Sequence, residues 1–142
     1  MNTHSIKLKG PWTVRLLPSS GATGEPQVVH LPADWKAVFG DVAGTAVFQR
    51  RFNRPTGLTA GHRVRIQLHG VTELIAVRLN DRPRPVELGT DGTASVDLTD
   101  GLQPHNVLSV EIRFDPCAQP GRPGGLWQPV VIEIEEPVDS PP

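Results

Sequence analysis

The chain has 142 residues, with 14 Lys and Arg against 15 Asp and Glu and a formal net charge of −1. That length suits one domain with its own core and excludes a second of any size. The near-neutral balance argues against wholesale electrostatic binding to nucleic acid or anionic lipid. In chain order, period-two alternation of apolar and polar residues dominates wherever a period exists. Trp12, Val14 and Leu16 point one way, with Thr13 and Arg15 between them. Ala46 and Phe48 lead into Gln49, Arg50, Arg51 and Phe52. Val64, Ile66 and Leu68 alternate with Arg65 and Gln67. The run Leu74–Leu79 stops at Asn80–Asp81, a dipeptide suited to a tight turn. Val96 and Leu98 flank Asp97. The clearest strand is Val107–Phe114, with Leu108, Val110, Ile112 and Phe114 on one face, and Val130, Ile132 and Ile134 close the series.

Some eight short strands result, separated by Gly, Pro, Asn or Asp, with 14 Gly and 15 Pro scattered singly and in pairs. Short helical turns are expected at most at Ala33–Phe39 and Leu98–Leu102. This pattern predicts an all-β antiparallel sandwich. The sandwich is expected over residues 8–135, with an N-terminal extension over 1–7 and a flexible, Pro-containing tail over 136–142.

Several landmarks follow one another in order: Gly10-Pro11-Trp12-Thr13-Val14, Leu31-Pro32-Ala33-Asp34-Trp35, Gln49-Arg50-Arg51-Phe52, Leu68-His69-Gly70-Val71 with Ala76-Val77-Arg78-Leu79-Asn80-Asp81, Asp97-Leu98-Thr99 with Asn106-Val107-Leu108, and Gly125-Leu126-Trp127-Gln128-Pro129-Val130. Together they resemble the N-terminal sugar-binding domain of glycoside hydrolase family 2, which includes β-galactosidases and β-glucuronidases. The resemblance spans roughly residues 8–135. It implies a jelly roll of the galactose-binding domain-like type, in which Trp12, Trp35, Gly70, Asn80, Asp97, Asn106 and Trp127 are structural landmarks. It also implies that the chemistry resides in a separate barrel carrying two catalytic glutamates, so no catalytic residue is expected here.

The residues agree with a non-catalytic reading. Retaining glycosidases need two carboxyls ~5–5.5 Å apart, and Glu133 and Glu135 alternate on a final strand as a solvated face does. No phosphate loop or metal-ligand spacing occurs. Asp34, Asp41 and Asp91 could offer oxygens to calcium, but no run resembles a calcium loop, and no cofactor is expected. Cys117 sits alone in a Pro-containing loop; as the one cysteine it can form no internal disulfide. The opening residues lack a signal-peptide core and no stretch approaches a ~18-residue membrane span, so a cytoplasmic protein away from membranes is expected.

A sugar site would combine an aromatic platform with hydrogen-bonding side chains. Tyr is absent and the three Trp fall on landmark positions, where a large ring fills the core or plugs its end. Phe39 is then the single loop aromatic. Candidate carbohydrate contacts are Asp34, Lys36, Phe39 and Asp41 after the second Trp, and Asn80, Asp81 and Arg82 at the hairpin. Three readings remain open: a module that binds carbohydrate weakly, a structural domain that holds a protein partner, and a binder of anionic polysaccharide. The last would use Arg63 and Arg65 on one face with Arg78 across from them. Nucleic acid is not expected as a partner, and the oligomeric state is left open. Eight Arg against two acids from Arg50 to Arg84, and two Arg against ten acids from Val86 onward, also fit strands that neutralise each other side by side.

Overall fold

The computed structural model describes residues 3–18, 24–89 and 91–137. Two antiparallel sheets face each other. The first contains β1 (Thr3–Lys7), β11 (Val131–Glu135), β5 (Arg63–Leu68), β9 (Ala94–Asp97) and β8 (Glu87–Leu88), in that spatial order. The second runs β3 (Gln27–Leu31), β2 (Gly10–Pro18), β4 (Gly44–Asn53), β10 (His105–Phe114), β6 (Leu74–Leu79) and β7 (Arg82–Arg84). This is the expected β-sandwich of jelly-roll type, with every paired strand antiparallel.

Alternation decides what is buried. On β10, Leu108, Val110, Ile112 and Phe114 are each fully buried, and they meet Val64, Ile66 and Leu68 of β5 and Ile132 and Ile134 of β11 in one core. Each such aliphatic or aromatic side chain contributes roughly 1.5–3 kcal/mol when removed from water.

Local signals place the ends of the elements. Asn80 and Asp81 have φ of 53° and 66°. Their left-handed conformation makes the two-residue turn from β6 to β7, whose twist matches that of the strands. The expected helical turns form as α1 (Trp35–Phe39) and a single 3₁₀ turn, Thr99–Gly101. Gly40, at φ 75°, ends α1.

One expectation needs correction. Where described, the extension expected over residues 1–7 is a strand, β1, paired with β11 from Thr3↔Glu135 to Lys7↔Val131. A run with one strong apolar residue, Ile6, gives no period to read, and pairing alone makes it a strand. Of the tail expected over 136–142, Glu136 lies 3.0 Å from the His4 ring, and residues 138–142 lie outside the described residues. Trp127 also differs from Trp12 and Trp35, which are each 1% exposed. It is half-buried and lies across Gly70 at one end of the sandwich, its Nε1 donating to the Gly70 carbonyl at 2.9 Å.

Candidate functional site

The two groups of expected contacts stand at opposite ends of the sandwich. Trp35, the first residue of α1, packs 5.6 Å from the ring of Phe114, the last residue of β10. Asn80 binds Val107 near the start of the same strand, its backbone N–H donating to the Val107 carbonyl and its Oδ1 accepting from the Val107 N–H. Seven residues of extended chain, from Val107 to Phe114, separate these ends by roughly 23 Å. Asp34, Lys36, Phe39 and Asp41 therefore cannot share a site with Asn80, Asp81 and Arg82.

Within each group the fold already uses several side chains. Asp34 Oδ1 accepts from the Gly124 N–H at 2.9 Å, tying α1 to the 115–125 loop. Phe39 is half-buried, 4.7 Å from Trp35 and 6.5 Å from Phe48 between ring centroids. Its edge is spent on aromatic neighbours rather than held out as a platform. Lys36 and Asp41 pair with each other at 3.5 Å on the surface. Asn80 donates to Asn106 Oδ1 at 3.1 Å. Of the first candidates, Asp81 and Arg82 alone are exposed with neither a side-chain hydrogen bond nor an ion pair among the described residues.

The basic stripe expected from Arg63, Arg65 and Arg78 does not form. Arg63 and Arg65 lie on β5 in the first sheet, and Arg78 lies on β6 in the second. Each is also neutralised across strands: Arg63 by Asp97 at 3.1 Å, Arg65 by Glu135 at 3.8 Å, and Arg78 by Glu111 at 3.1 Å. The sequence could not show which basic strand pairs with which acidic one. Glu133 accepts from Gln67 at 3.2 Å. Glu133 and Glu135 are thus parts of this cross-strand network.

Among several surface depressions, one adjoining set lies on the outer face of the second sheet. Three adjoining depressions of about 570, 650 and 520 Å³ share lining residues in series. The first is bordered by Asn53, His105 and Asn106, and it shares Arg51 and Val107 with the second. The second shares Thr13 and Gln49 with the third, which runs on past Arg15 to Leu17 and Pro26. The result is one groove crossing β2, β4 and β10. Its floor follows from alternation. With Trp12, Val14, Phe48 and Phe52 turned inward, Thr13, Arg15, Gln49 and Arg51 must face out. Gln49 Nε2 donates to Ser109 Oγ at 3.1 Å and so is fixed in the floor. Arg50 also borders the first two depressions, but its guanidinium is held by main-chain carbonyls, Nε and Nη2 donating to that of Lys9 at 3.2 and 3.0 Å and Nη1 to that of Arg51 at 2.7 Å. Arg15 and Arg51 make no ion pair or side-chain hydrogen bond among the described residues. The Asn80–Asp81 turn stands beside the His105 end of the groove, since Asn80 bonds both Asn106 and Val107.

No protein-family model matches the sequence, and no curated protein matches it. Solved structures match its fold closely. An FMN-binding β-glucuronidase from Facaelibacterium prausnitzii L2-6 superposes with a TM-score of 0.73 at 24% identity, over 94% of this chain and 23% of that one. A Ruminococcus gnavus β-glucuronidase gives 0.74 at 17% identity, over 94% and 29%. A rhamnosidase from Novosphingobium sp. PP1Y gives 0.69 at 18% identity, over 95% and 15%. The chain thus has the fold of one domain of these glycosidases and spans less than a third of their length.

Proposed function

We propose that this chain is a non-catalytic carbohydrate-binding module, and that glycans lie along the groove on the outer face of the second sheet. The observation carrying this reading is the continuity of the groove. Three depressions joined through Arg51, Val107, Thr13 and Gln49 form a trough across three strands, a shape that accommodates an extended chain better than a single ring. Hydroxyl, amide and guanidinium groups line it, the partners that sugar hydroxyls require. Likeness to domains of a β-glucuronidase and a rhamnosidase supports an association with glycan chemistry. Lacking a stacking ring, the site binds weakly, with dissociation constants on the order of millimolar.

A glycan array followed by NMR titration of the purified chain tests this. Amide shifts at Thr13, Gln49 and Val107, with those of Lys36–Asp41 unmoved, are expected. Shifts confined to α1 would move the site to the other end, and a silent array would overturn the reading.

A second reading has one observation in its favour. Asp34 and Asn80, two of the polar candidates, are consumed by hydrogen bonds that hold the fold together, as in a domain whose role is to pack against a neighbour. Capture of a partner protein by a chain that is silent on the array would favour it.

A further inference from the structure

The groove has no aromatic residue on its floor, yet it keeps two unpaired cations. We infer that its ligand is an acidic oligosaccharide, with Arg15 and Arg51 as the anion contacts and Thr13 and Gln49 between them contacting hydroxyls. This inference rests on the carbohydrate reading above and names the class of glycan.

Geometry and electrostatics point the same way. Arg15 lies opposite Val47 on β4, and Arg51 follows four residues later on the same strand. The two Cα atoms are therefore roughly 13 Å apart along the groove. Thr13 and Gln49, a directly paired couple, sit between them. Elsewhere, Arg63, Arg65, Arg78 and Arg84 each have an acidic partner, while Arg54, Arg82, Arg113 and Arg122 have none among the described residues and stand outside this groove. Arg15 and Arg51 have none among the described residues, although Glu111 of the same sheet face is close enough to Arg78 to pair with it. A neutral glycan would need an apolar face to stack upon, and Phe52, which borders one end, is 8% exposed. Charge must supply the missing attraction, and a planar guanidinium matches carboxylate or sulfate oxygens in a bidentate way. Single-stranded nucleic acid is the poorer fit, because it too requires stacking rings, and the net charge is −1.

The test titrates the full chain, by NMR, with four probes: a galacturonic acid hexamer, a κ-carrageenan hexasaccharide (sulfated, without carboxylates), maltohexaose and a short oligothymidylate. Arg15→Gln and Arg51→Gln are both exposed changes, and unchanged melting curves would confirm that the variants fold. At least one acidic glycan is expected to shift groove amides, to bind about tenfold less well to each variant, and to weaken steeply with added salt. The carboxylated and sulfated probes separate the two sources of negative charge. Equal binding of maltohexaose, insensitive to both variants, would overturn the acidic ligand and leave the carbohydrate module standing. Tighter binding of the oligothymidylate would also overturn it. Silence from all three glycans would overturn both this inference and the reading it rests on.

Discussion

Asn80 and Asn106 are hydrogen-bonded to each other through their side chains, Asn80 Nδ2 donating to Asn106 Oδ1 at 3.1 Å. The pair joins the β6–β7 turn to the start of β10. Asn106 is 1% exposed, and it also accepts from the Gln103 N–H and donates to the Gln103 carbonyl, both at 2.8 Å. Replacing Asn106 with Leu leaves these buried groups unpaired and is expected to cost roughly 2–3 kcal/mol by urea denaturation. Asn80→Ala loses the Val107 bond and places a Cβ-bearing residue without local hydrogen bonding at φ 53°. Asn80→Gly should be milder by about 1 kcal/mol, because glycine accepts that φ freely. The two sites share a bond, so the double variant should lose less than the sum. Strict additivity would refute the coupling.

Gly70→Ala tests the seat of Trp127. The added methyl would stand 2.6 Å from Trp127 Cζ2, at a φ of +67°. Backbone strain and overlap together predict a loss of roughly 2–4 kcal/mol. Displacing the indole also breaks its bond to the Gly70 carbonyl, so tryptophan emission should shift to the red. An unchanged spectrum with unchanged stability would show that the ring rests elsewhere.

Asp34→Ala separates scaffold from ligand site. It removes the acceptor for the Gly124 N–H and should cost about 1 kcal/mol of stability. Glycan affinity in the groove should not change, because α1 adjoins the far end of β10. A large loss of affinity with stability retained would restore Asp34 as a contact.

Acid should weaken the fold through Asp97. Burial pushes its carboxyl up, but hydrogen bonds from the Thr99 hydroxyl and N–H, together with Arg63, outweigh that and hold it below the usual value of about 3.8. The folded state therefore favours the ionised form. The resulting stability is fully present above the unfolded value, near pH 4, and is lost as pH falls through the depressed folded value. Thermal melts of Asp97→Asn should show a smaller loss between pH 5 and about pH 2.5 than the parent chain. Parallel curves would contradict this.

Much of the architecture was legible because alternation is local. The inward faces of β2, β4, β5 and β10, the Asn80–Asp81 turn and the short helix at Trp35 each follow from a few adjacent residues. The role of β1 was not legible, because its strand character comes from β11. Phe39 looked like a loop aromatic because nothing in its own segment names Trp35 and Phe48 as neighbours. The groove was hidden in a similar way. Thr13, Arg15, Gln49 and Arg51 are readable one by one as outward-facing, but no local signal says that their strands lie side by side.

The sequence by itself determined the class of fold and which face of each strand is buried, since both depend on the period of apolar residues along the chain. Tertiary structure alone decided the order β3-β2-β4-β10-β6-β7, which arginines found carboxylates and which did not, and that the two expected contact groups lie at opposite ends. Those properties arise from pairing between residues far apart in sequence. A strand's hydrogen-bonding edge is nearly the same whatever its side chains, so its choice of neighbour is settled by how the whole core packs.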